Sequence, residues 1–252
     1  MTLRPALLLL VVCLLGGCVT TGDVDPMRTA KGRDEARNAY VQLGLAYIQQ
    51  GDTQRAKVPL KNALDLDSSS ADAHAALALA FQLEMEPKLA DEHFRKALSQ
   101  RPNDARLLNN YGGFLFEQKR YKEAMNTYLK AAEDNLYPER SRVFENLGLT
   151  ALMLKQREQA KAYFERSLRL NSRRPRALLE MAMISYEDKL YVPARGYYES
   201  YTVLAEHDAR SLLLGTRLAR IFEDRDNAAS LGLQLRRLYP GTPEYQQYLS
   251  EQ

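Results

Sequence analysis

Apolar residues along this chain fall at helical spacing, as in Tyr40, Leu43 and Tyr47, then Ala56, Leu60, Ala63 and Leu64. Steps of three or four place such side chains on one helix face, whereas alternation at two would predict strands. The pattern is itself periodic. Ala56, Ala90, Ala124, Ala160, Ala194 and Ala228 recur at intervals of 34, 34, 36, 34 and 34 residues. All but the last are followed four residues on by a bulky side chain, namely Leu60, Phe94, Tyr128, Phe164 and Tyr198. Gly232 takes that place after Ala228 and reads as a lapse. A period of this length marks one supersecondary unit stacked on copies of itself. Each period holds two helical stretches, so the pattern predicts helical hairpins and no sheet.

Small residues say where the hairpins touch. Gly44, Ala78, Gly112, Gly148 and Ala182 are expected at the closest approach of two paired helices, facing the bulky residues of the second helix. Leu43 and Leu77 are expected in the core beside them. Gly51 reads as the end of the first helix and Asp52 as the cap of the second. Pro59 lies inside that second helix and should kink it or delay its start. The longer Ala124–Ala160 interval reflects an extended connection through Asn135, Leu136, Tyr137 and Pro138. Thr242, Pro243 and Glu244 read as a cap, a first-turn proline and a first-turn acid, predicting a short closing helix at 243–250.

The unit spelled by Tyr40, Leu43, Gly44, Tyr47, Ala56 and Leu60 resembles the tetratricopeptide repeat. Later copies keep parts of it, as in Leu77, Phe81, Ala90, Phe94, Pro102 and in Leu147, Gly148, Ala160, Phe164. The resemblance implies an all-α, right-handed superhelical solenoid of six helical hairpins with the closing helix at its end. The expected repeats are 37–70, 71–104, 105–140, 141–174, 175–208 and 209–242, within a repeat domain of 34–252.

The N-terminus follows other rules. Arg4, the apolar stretch 6–15 and Leu15-Gly16-Gly17 before Cys18 read as a signal peptide of residues 1–17. The apolar run is too short for a spanning helix. It resembles a bacterial lipoprotein signal, which implies that Cys18 is lipidated and becomes the mature N-terminus. Val12 before Cys13 makes that cysteine the poorer candidate, and the lipid on Cys18 is the only attached group expected. Residues 18–33 read as a lipidated tether, reaching roughly 20–25 Å if flexible. Val19 after Cys18 favours the periplasmic face of the outer membrane.

Charge and chemistry point away from nucleic acid and catalysis. The 35 basic and 32 acidic residues leave a net charge of +3 without a phosphate-tracking cluster. His74, His93 and His207 lack partners at metal-ligand spacing, and no phosphate loop or nucleophile elbow occurs. The chain is therefore expected to be no enzyme, with no metal, no small-molecule substrate and no nucleic-acid partner.

The tetratricopeptide resemblance implies that first helices line a concave binding face. Val41, Leu45, Ile48, Leu79 and Leu83, with Phe116 further on, would make that face apolar and suit a helix or strand of a protein partner. Arg106, Arg142, Arg176 and Arg210 recur at one register and form a second candidate surface. Asn38 and Asp72 stand where a carboxylate clamp would need Lys and Asn, so a C-terminal carboxylate ligand is not expected.

Lipid signal, tether, repeats and closing helix together, with Tyr111-Gly112-Gly113-Phe114-Leu115 in the third unit, resemble the PilF/PilW family of type IV pilus biogenesis lipoproteins. That resemblance implies a pilotin, which helps a secretin ring reach the outer membrane and assemble. A second outline fits the same layout: an outer-membrane repeat lipoprotein that scaffolds or activates a periplasmic enzyme or a barrel-assembly machine.

Overall fold

A computed structural model describes residues 26–252, so the signal peptide, Cys18 and residues up to 25 lie outside it. A 3-10 turn at Pro26–Arg28 leads into thirteen α-helices, with no strand among the described residues. They are α1 (Ala30–Gln49), α2 (Thr53–Leu66), α3 (Ala71–Leu83), α4 (Pro87–Gln100), α5 (Ala105–Glu117), α6 (Tyr121–Glu133) and α7 (Arg140–Met153). Then come α8 (Arg157–Leu170), α9 (Pro175–Glu187), α10 (Tyr191–Thr202), α11 (Ala209–Ile221), α12 (Arg225–Leu238) and α13 (Pro243–Ser250). Two compact units divide between Glu86 and Pro87.

Helix starts follow from capping side chains. Thr29, Asp52, Ser70, Asp104, Asp208, Asp224 and Thr242 each accept a first-turn backbone N–H that no carbonyl within the helix could reach. Two expectations change here. Capping by Thr29 starts α1 at Ala30, so residues 30–33 are helix rather than tether. Capping by Asp52 starts α2 at Thr53 and the helix runs through a buried Pro59, so the proline does not delay it.

Helix ends obey a rule that the sequence shows only once. Gly51, Met85, Lys119, Lys155, Lys189 and Glu223 all have φ between +58° and +78°, one in each hairpin turn. The next residue returns its N–H five residues back, as from Arg120 to the Leu115 carbonyl at 2.9 Å and from Gln156 to Ala151 at 2.8 Å. That is the Schellman closure, and five of the six turns make it without glycine.

In the first unit, α1 and α2 pair where Gly44 meets Leu60; a Cβ on Gly44 would lie 2.5 Å from that side chain. Ala56, Leu60, Ala76 and Leu77 form the core there. The second unit repeats the device twice, with the Cβ of Gly112 falling 2.6 Å from the Tyr128 ring and that of Gly148 falling 2.5 Å from Phe164. At the C-terminal end Gly232 lies against Tyr248 of α13. The apparent lapse at Gly232 is thus a socket, filled from the closing helix instead of from its own hairpin. Leu212, Leu213, Leu231 and Leu235 complete that core with Tyr245 and Tyr248 packed on it.

Candidate partner-binding surfaces

In the first unit the apolar row on α1 and α3 divides by depth. Val41 is 3% exposed and packs with Ala63 and Ala73, so it belongs to the core and not to a binding groove. Leu45 and Ile48 are half-buried, leaning on the Ala56–Leu60–Ala76–Leu77 cluster. Leu79 is half-buried too, and Leu83, one turn further along α3, is 59% exposed. What this row can do is shield apolar side chains of a partner from water.

The register error at Val41 has a counterpart at Leu43. That residue, expected in the core, is 45% exposed. The same register in the third repeat is Tyr111, whose ring lies 5.4 Å from Phe94 and whose hydroxyl donates to Asp91 at 2.9 Å, both on the helix before it. That position faces a preceding repeat, and nothing described precedes the first one. Leu77, by contrast, is buried as expected.

In the second unit the arginine register proves uneven. Arg210 forks onto Glu180 at 2.9 and 3.2 Å, and the hydrogen bonds, set against burial, hold its pKa above the usual guanidinium value. It also lines a cleft of about 410 Å³ with Leu152, Arg157, Met183 and Ile184. Arg142 meets Glu139 at 3.3 Å with both side chains about half exposed, a pair worth little in water. Arg106 is exposed but has an interaction of its own. Arg176 is exposed and makes no ion pair among the described residues. Phe116 is half-buried, edge-on to Tyr121 at 5.3 Å.

Two charged constellations escaped the sequence because their partners lie some thirty residues apart. Glu145, 4% exposed, takes Arg174 at 2.7 Å and the backbone N–H of Ala177 at 3.3 Å, at the start of α9. Asp91 accepts from Tyr111 at 2.9 Å and from Arg120 at 2.7 Å, with Arg95 at 2.8 Å. Burial opposes its ionisation. The hydrogen bonds from Arg120 and Tyr111 and the two guanidinium charges prevail and hold its pKa below the usual carboxylate range. Both join successive repeats and are structural. His74, 6% exposed, is also structural, with Nε2 3.1 Å from the Ser68 carbonyl. No group of His, Cys, Asp and Glu among the described residues could hold a metal ion.

Known proteins agree with this architecture. Tetratricopeptide repeat models match residues 38–70 and 103–173. The chain is 62% identical over 251 residues to the type IV pilus assembly protein PilF of Pseudomonas aeruginosa, covering the full length of both. A solved structure of Pseudomonas aeruginosa PilF superposes with a TM-score of 0.86 at 64% identity, over 88% of this chain and 100% of that one. The crystal structure of PilW, a type IV pilus biogenesis factor, does so with a TM-score of 0.72 at 30% identity, over 84% and 98%. This chain belongs to the PilF family of tetratricopeptide-repeat proteins.

Proposed function

We propose that this PilF-family chain is a pilotin: a lipoprotein, anchored through Cys18 at the periplasmic face of the outer membrane, that binds a secretin and promotes its localisation and multimer assembly for the type IV pilus. Full-length kinship to a pilus assembly protein carries the reading. The apolar row Leu45, Ile48, Leu79 and Leu83 supports a protein partner, since desolvated apolar anchors dominate such interfaces. The lipid signal before Cys18 supports the anchor, because several acyl chains on one cysteine hold far more firmly than one.

The test is membrane fractionation with secretin multimers as the readout. Cys18→Ser should abolish lipid labelling, release a folded soluble domain, and leave secretin in the wrong membrane or as fewer multimers. A variant still fully lipidated would refute the anchor. Crosslinking that recovered a peptidoglycan synthase and no secretin would move the assignment to the scaffolding reading.

A further inference from the structure

On its first helix the third repeat lacks a side chain at a register that its neighbours fill. The register filled by Leu45, Leu79, Leu149, Met183 and Arg217 is occupied in α5 by Gly113. A Cβ placed on Gly113 would meet a single residue within 4 Å, the Tyr128 hydroxyl at 3.6 Å. Other repeats put a side chain there, and this one leaves a recess with a phenol as its floor.

That phenol is an addition. The register of Tyr128 on the second helix holds Phe94 and Phe164 in flanking repeats. Tyr128 is 2% exposed, and its hydroxyl has no hydrogen-bond partner among the described residues. Burial, and then the charge of Glu117, push its pKa up against the opposing charge of Arg176, so the oxygen stays protonated and can donate. One turn back on the same face of α5, Asn109 is 7% exposed and accepts from Asn146 Nδ2 at 3.1 Å, which leaves its own N–H2 to donate. Arg176, without an ion pair among the described residues, lies near enough for its charge to act on Tyr128. Glu117 opposes it but already has an interaction of its own.

The recess thus has a phenol O–H at its floor, an amide N–H2 one turn back on the same helix face and a guanidinium whose charge reaches the phenol, against the one carboxylate of Glu117. That donor set fits a carboxylate. We infer that the recess at Gly113 is a subsite for an Asp or Glu side chain carried by an extended segment of a protein partner. The missing side chain at Gly113 supplies the room, Tyr128 and Asn109 the hydrogen bonds, and Arg176 the charge. The inference does not depend on which protein brings the segment, so it stands or falls apart from the secretin assignment.

The test uses the isotope-labelled full chain in detergent micelles, titrated with acetyl-Ala-Glu-Ala-amide and with its glutamine counterpart. Amide signals of Gly112, Gly113 and Tyr128 should shift saturably with the glutamate peptide, which should bind about tenfold more tightly than the glutamine peptide. Tyr128→Phe and Arg176→Gln should each weaken binding, and Gly113→Leu should abolish it. Tyr128→Phe and Gly113→Leu install side chains that other repeats carry at the same registers, so the fold should survive them, as unchanged melting would confirm. Equal binding of the two peptides, shifts centred elsewhere, or affinity unmoved by Tyr128→Phe and Arg176→Gln would overturn the subsite.

Discussion

The two candidate surfaces are built from the same helix face in different chemistry, and the first unit leaves exposed what the second mostly compensates. On α3, Leu83 reaches water with 59% of its surface, with nothing in its row to offset that exposure. In the arginine register, Arg210 is forked onto a nearly buried Glu180, and Arg142 has Glu139 beside it. A charge already paired must be unpaired or shared before a partner gains from it. An exposed leucine has no such obligation, and its removal from water contributes about 25 cal/mol for each Å² covered. Apolar row and paired arginines should therefore separate, the row governing association and Arg210 with Arg142 mostly the stability of the stack.

The largest expected effect lies on the charged side. Glu145→Ala would strand Arg174, whose side chain is 15% exposed, and remove the acceptor for the Ala177 N–H. Losing one member of a buried pair costs about 3–5 kcal/mol, to be read as a fall in the urea midpoint. Leu83→Ala should leave that midpoint almost unchanged. Equal losses would break the comparison.

Neighbouring glycines sharpen it next. Gly112→Leu would drive a side chain into the Tyr128 ring, at a cost of about 1–3 kcal/mol, with hydrogen-exchange protection falling mainly in α5 and α6. Gly113→Leu, whose Cβ would meet only the Tyr128 hydroxyl at an ordinary 3.6 Å, should melt near wild type. Protection lost uniformly across all repeats would contradict stacking by nearest neighbours.

A smaller effect comes from pH. Asp91 has its folded pKa held below the reference value of 3.8, so its contribution is present above that value and is lost as pH falls through the folded pKa. Stability should decline below about pH 4, less steeply in Asp91→Asn, which has no such proton to take up. Parallel pH curves for the two proteins would show that Asp91 contributes nothing through ionisation.

The alanine ladder and its bulky followers made the hairpins legible because packing between paired helices is local and repeats itself. What lay outside that pattern depended on contacts the pattern does not encode. Val41 and Leu43 are both apolar, and only the presence or absence of a neighbouring helix makes one core and the other surface. Gly232 looked like a lapse because its filler, Tyr248, belongs to a different helix. Glu145 finds Arg174 across a repeat, with no local signal in either residue. Five of the six left-handed turn residues are Met, Lys or Glu, so they carry no glycine to announce the turn. Of the partner surface, residue type was legible in the sequence and depth was not.

The proposed secretin partner should dock on the apolar row of the first unit and not on the arginine register. Secretin multimers in the outer membrane should be counted with Leu45→Asp and Leu83→Asp on one side and Arg142→Glu and Arg176→Glu on the other, in cells where each variant keeps wild-type helical content and melting. A carboxylate forced into a dry interface without a partner costs several kcal/mol, so the two aspartate variants should lose most multimers while the two reversals keep most of theirs. Reversals that abolish assembly while Leu45→Asp and Leu83→Asp leave it intact would contradict the account and make the arginine register the working surface.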